Sequence, residues 1–174
     1  MAAHFLASFL PGPSPFTCCL AMADQPLLAS LLAKVSELLQ EFARRSHFLD
    51  DLTFVFGDQQ GSPTARSLQQ LWLDQDTSHF PAIEVISDAA LKGASAAYAT
   101  ETNTIYLAEG EFQAGLQTGA DEEALVSLVL HEYGHYVDSQ LNDKDSEGDE
   151  GALFADVAPC SSCRAQPHRS SPSR

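Results

Sequence analysis

Two histidines four residues apart with a glutamate directly after the first, His131-Glu132-Tyr133-Gly134-His135, constrain this chain more than any other feature. On a helix such histidines share one face. His131 and His135 can therefore turn two imidazoles toward one divalent ion, while Glu132, one step round, can reach a water on that ion. The pattern needs a helix, and its surroundings supply one. Leu125 to Leu141 runs without proline, Asp121, Glu122 and Glu123 suit the positive N-terminal end, and Thr118 can cap it with Asp121 three residues on. Leu125, Val126, Leu128, Val129, Leu130 and Val137 make the segment apolar nearly all round, which predicts burial. Two imidazoles and a carboxylate left unpaired in a buried helix cost on the order of several kcal/mol, and a shared metal ion removes that cost. Gly134 costs about 1 kcal/mol relative to alanine inside a helix, and in return leaves room for a close neighbour.

The rest of the chain reads as one domain with flanking segments. With 174 residues, 44% apolar and 19% charged, a single hydrophobic core is expected. The charge is unevenly placed: all 24 acidic residues fall between Asp24 and Asp156, leaving an apolar start and a short basic tail without acids. An acidic body of this kind argues against a nucleic-acid partner, since phosphate backbones are bound by clustered Lys and Arg. Residues 1–23 form an apolar leader, either a secretory signal ending at Ala21-Met22-Ala23 or a stretch upstream of a start at Met22. No run reaches the roughly 18 apolar residues that a membrane span requires. Residues 158–174 read as a disordered basic tail, and its Cys160-Ser-Ser-Cys163 pair supplies only half of a structural zinc site.

Within residues 24–157 the order of elements is expected to be helix, strand, helix, strand, hairpin, helix, helix. Leu28, Leu31, Leu32, Val35, Leu38, Leu39 and Phe42 recur at helical spacing across Leu27 to Arg45. Leu52 to Phe56 alternates and is rich in aromatic and β-branched residues, so it reads as a strand that Gly57 ends. Pro63 to Asp74 reads as a helix and Ile83 to Ile86 as a strand. Ala96 to Thr100 and Thr104 to Leu107 pair across Glu101-Thr102-Asn103, and Gly151 to Val157 forms a short last helix. The expected class is α+β, a small mixed sheet packed on helices, with the histidine pair on a buried helix.

The motif and the order of elements together resemble the N-terminal lobe of zincin metallopeptidases. His131-Glu-Tyr-Gly-His-Tyr-Val-Asp138 is also similar to the motif of anthrax-lethal-factor-like zincins, which carry an aspartate three residues past the second histidine. A likeness covering about Leu52 to Val157 is to a module of large cyanobacterial proteins with hemolysin-type calcium-binding repeats. It rests on Phe54-Val-Phe-Gly57, Ser67-Leu-Gln-Gln-Leu-Trp72, Asn103-Thr-Ile-Tyr-Leu107, Val137-Asp-Ser-Gln-Leu-Asn142 and Gly148-Asp-Glu-Gly-Ala-Leu-Phe-Ala155. Many such modules replace the first zinc histidine by glutamate, which implies a dead peptidase fold, whereas His131 keeps the set complete. The resemblance implies a polypeptide substrate and a secreted or cell-surface setting. The sequence holds no glycine- and aspartate-rich calcium repeats, so the roles of those repeats are not carried over.

A catalytic zinc takes three protein ligands and keeps one position for water. Glu150, at the start of the last helix, is the expected third ligand beside His131 and His135, as in the gluzincin class, where a downstream helix supplies a glutamate. Its spacing from His135 is short for that class, so Asp149, Asp156 and Asp138 stay open; Asp138 also suits an acceptor that fixes a histidine tautomer. Zinc would acidify a bound water while Glu132 serves as the catalytic base, with Tyr106 and Tyr136 available near a developing oxyanion. Only 24 residues follow Glu150, which leaves little chain for a lower cleft wall, so a catalytically inactive zincin-like module is the alternative. Calcium is the rival ion: Asp143, Asp145, Glu147 and Gly148 follow the first half of an EF-hand loop, but the twelfth position, where a glutamate belongs, is Phe154.

Overall fold

The computed structural model describes residues 25–115, 119–142 and 148–159. The leader 1–23, the Thr118 cap, the acidic loop 143–147 and the cysteine pair of the tail lie outside the described residues. The class is α+β: the described residues form six helices and one three-stranded mixed sheet.

Helix α1 (Gln25–Ala43) lays Leu31, Val35, Leu39 and Phe42 along one fully buried face, the stripe its periodicity predicts. Helix α2 (Phe48–Phe56) corrects the strand expected over Leu52 to Phe56. Its buried residues are Phe48, Asp51, Leu52, Val55 and Phe56, a helical repeat, whereas Phe54, which an alternating strand would bury with Leu52 and Phe56, is exposed. Asp50 and Asp51 stand in the first turn, where the helix dipole favours them, and packing at a period of 3.6 overrides the strand propensity of the composition. Gly57, at φ 81, ends the helix.

Helix α3 (Pro63–Leu73) starts as its sequence demands, with the Ser62 hydroxyl accepting from Ala65 N–H at 3.2 Å and proline in the first turn. Strand β1 (Ala82–Ile86) runs parallel to β3 (Thr104–Ala108), and β2 (Ala96–Ala99) pairs antiparallel with β3 on its other side. The expected hairpin is present, with Asn103 in the left-handed region at φ 48. Strand β3 is followed directly by α4 (Glu109–Gly115), a short helix with no counterpart among the expected elements, which seats Phe112 in the core.

Helix α5 (Gly119–Leu141) carries the histidine pair and begins before the expected Leu125. It buries Leu125, Val129, Leu130, Tyr133 and Val137, and Lys34 of α1 reaches Glu122 at 2.6 Å. Helix α6 (Glu150–Val157) packs across it through glycine. A methyl group on Gly134 would stand 2.8 Å from the Gly151 Cα, so only hydrogen at both positions permits this approach. The Phe154 ring plugs α6 into an aromatic core, 5.7 Å from Phe42, 5.6 Å from Phe56 and 6.1 Å from Trp72. Among the described residues, no helix is long and apolar enough to cross a membrane.

Candidate metal centre

The crossing of α5 and α6 brings three ligand-type side chains to one point. His131 Nε2 and His135 Nε2 lie 3.3 Å apart, and Asp149 Oδ1 lies 3.4 Å from the first and 4.0 Å from the second. Atoms bound at about 2.0–2.1 Å around a tetrahedral zinc are about 3.3–3.4 Å from one another, so two of the three edges already have the required length. The third edge is about 0.6 Å too long, a shift within reach of the half-exposed Asp149 side chain. These three residues form a group able to hold a metal ion. The side chains of His131, His135 and Asp149 are 30%, 33% and 44% exposed, which leaves one side of the group open to solvent.

Asp149 arrives by a local device. It is the N-cap of α6, with non-helical backbone at φ -120 and ψ 78, and its Oδ1 accepts from Ala152 N–H at 2.9 Å while facing the imidazoles. Glu150, the ligand favoured by the sequence, is the first helical residue instead. It is 3% exposed, with Oε1 turned toward Gly148, and it is not a member of the three-residue group. Of the other open choices, Asp156 is exposed on α6, and Asp138 is buried and accepts from Asn142 Nδ2 at 2.7 Å, which ties it to the end of its own helix. Gly151 completes the geometry. A Cβ there would stand 2.5 Å from the His131 carbonyl oxygen and 2.7 Å from His135 Nε2, so any other residue would push α6 off the site.

The sheet fixes the glutamate of the motif. Ala108 N–H bonds to Ser95 O, so the alternation of an antiparallel ladder bonds Ala97 and Ala99 to β3 and turns the N–H of Tyr98 away from it. That N–H donates to Glu132 Oε2 at 2.7 Å. Burial pushes the Glu132 carboxyl above its ordinary value; His131 and the Tyr98 N–H pull it back down, and Asp149 raises it again. The role of Tyr98 was invisible in the sequence because it belongs to a backbone group, and only strand register reveals it. Of the two tyrosines named for an oxyanion, Tyr136 is buried with its ring 5.2 Å from Tyr133 and 5.9 Å from Tyr98, while the Tyr106 hydroxyl lies 3.5 Å from that of Thr102.

No protein-family model matches the chain, and neither a curated protein nor a solved structure matches it.

Proposed function

We propose that this chain is a zincin-like, zinc-dependent metallopeptidase domain that hydrolyses peptide bonds, with His131, His135 and Asp149 as metal ligands and Glu132 as general base. The carrying observation is the placement of Asp149 Oδ1 and the two Nε2 atoms at nearly tetrahedral spacing, with the Glu132 carboxylate on the adjacent helical position. The donor set supports zinc as the ion. Two imidazoles with one carboxylate suit zinc, whereas calcium takes oxygen donors throughout. When bound, zinc would lower the pKa of a coordinated water toward roughly 7 and polarise a peptide carbonyl.

The chain's own groups do the remainder. Glu132, held by Oε2 on the Tyr98 N–H, keeps Oε1 to take a proton from water and return it to the leaving amine. Of the outward-facing peptide groups of β2, the Tyr98 N–H is taken by Glu132, and an extended polypeptide paired with the remaining groups, those of Ala96 and the Tyr98 carbonyl, would add a strand along that edge. The alternative, a catalytically inactive zincin-like module of a secreted or cell-surface protein, is favoured by one observation: Glu132 is only 7% exposed.

Elemental analysis of protein purified without added metal tests the first half of the proposal. One zinc per chain is expected, lost in His131→Ala, and substoichiometric metal indifferent to that change would reject it. Peptide hydrolysis tests the second half. Glu132→Gln should keep zinc and lose about 10²–10⁴-fold in rate, the usual worth of a general base. Zinc without hydrolysis in the native chain would select the inactive module.

A further inference from the structure

The short helix that delivers Asp149 is gripped at its far end by a cation from another part of the chain. Arg45, in the turn between α1 and α2, donates from Nη1 to the Val157 carbonyl at 2.9 Å and from Nη2 to the Ala158 carbonyl at 2.8 Å. These are terminal carbonyls of α6, which have no partner within the helix, and a guanidinium there also meets the negative end of the helix dipole. The fork is itself held. Asp51 of α2 is fully buried, and its Oδ2 lies 3.3 Å from Arg45 Nη1, while its Oδ1 has no hydrogen-bond partner, so the charge inside the fold is answered chiefly by Arg45. His47 Nε2 stands 3.4 Å from the same Oδ2, and the Phe42 ring lies 4.9 Å from the guanidinium carbon. Nothing in the proposed chemistry uses this cluster, since α6 spans about 12 Å between it and Asp149.

We infer that Arg45 is a positioning residue for the metal centre: by clamping the C-terminal end of α6 it sets where the N-cap carboxylate of Asp149 meets the imidazoles. The inference rests on the metal reading above. Phe154 pins the middle of α6 in the aromatic core and Gly151 leaves α6 no spare distance above His131. Once the far end is released, the helix pivots on that ring, and the Asp149 edge, already the loosest of the three, opens first.

The test is zinc affinity by competition with a chelating indicator, with cobalt(II) absorption as a readout of coordination, on the full chain. Arg45→Lys keeps a cation but loses the two-pronged grip, and should weaken zinc binding about tenfold, the lower end of what outer partners of metal ligands contribute. Arg45→Gln should weaken it further; where that variant does not fold, Arg45→Lys carries the test. Asp149→Ser retains a helix cap and removes the carboxylate. If Arg45 acts through Asp149, the Arg45→Lys, Asp149→Ser double variant binds zinc no more weakly than Asp149→Ser alone, and Arg45→Lys shifts the cobalt spectrum toward that of Asp149→Ser. Leu68→Ala, on the buried face of α3 and outside the Arg45 cluster, should lower the melting temperature and leave zinc affinity unchanged. A folded Arg45→Lys with native affinity, or losses that simply add in the double variant, overturns the inference while the metal centre stands. Failure of the native chain to bind zinc removes the metal centre and the inference with it.

Discussion

The two carboxylates that flank the histidine pair are held by opposite means. Glu132 lies against the sheet, 7% exposed, with a strand N–H on its oxygen; Asp149 stands at the tip of an eight-residue helix, its side chain 44% exposed, and caps that helix with the same atom it offers to a metal. The sheet-side group is fixed by a ladder whose register would have to slip before it moved. The helix-side group depends on the glycine seam, the Phe154 plug and the Arg45 clamp all being in place. The contrast suits the roles proposed for them, since a proton carrier works within a narrow range of distance and a metal ligand must close on an ion that arrives from solvent.

The largest effect is expected at the seam. Gly151→Ala introduces a methyl group 2.5 Å from the His131 carbonyl, and overpacking of this kind costs about 1–3 kcal/mol. Chemical denaturation should show that loss together with weakened zinc binding, and native behaviour in both would mean that α6 moves freely. A comparable effect is expected on the sheet side. Tyr98→Pro deletes the N–H that holds Glu132, at an edge position where the ladder does not need it, while Tyr98→Ala removes the ring and keeps the N–H. The proline variant should be the less stable of the two by about 1.5–3 kcal/mol, the usual worth of a hydrogen bond to a charged group. Equal stability would leave Glu132 without its anchor.

Smaller effects sharpen the helix side. Asp149→Ala should cost about 1 kcal/mol without metal through loss of the cap, whereas Asp149→Ser should cost little, yet both should weaken zinc binding. Parallel losses in stability and affinity would mean that Asp149 is a cap and nothing more. The smallest effect concerns pH. His79, 3.1 Å from the Tyr133 hydroxyl that also accepts from Trp72, is pushed below the ordinary histidine value of 6.5 by burial. The unfolded chain then binds more protons than the folded one between the two values, so stability is present above 6.5 and declines as pH falls from there toward the depressed folded value. Thermal unfolding should show a shallower acid decline in His79→Gln, and identical slopes would remove His79 from the account.

Much of this architecture could be read from residue spacing, for physical reasons. The buried stripe of α1, the Ser62-Pro63 start of α3 and the imidazole pair of α5 are repeats or caps whose meaning is local. Leu52 to Phe56 deceived because five residues fit two periods, and the deciding neighbours, Phe48 and Asp51, lie upstream of the window. Helix α4 is only seven residues long, too short for a period to declare itself. Asp149 and Glu150 are adjacent acids, and which one meets the histidines depends on where the helix starts. The cap residue has non-helical backbone and reaches the imidazoles, while its neighbour is buried as the first residue of the helix.

X-ray absorption at the zinc edge, on protein purified without added metal, reads the ligands of the proposed metal centre. The account predicts a first shell of two imidazole nitrogens with oxygen donors, all at about 2.0–2.1 Å, that loses one oxygen or rearranges in Asp149→Ser and loses an imidazole in His131→Ala. A sulfur shell, an all-oxygen shell, or a spectrum indifferent to both substitutions would contradict it.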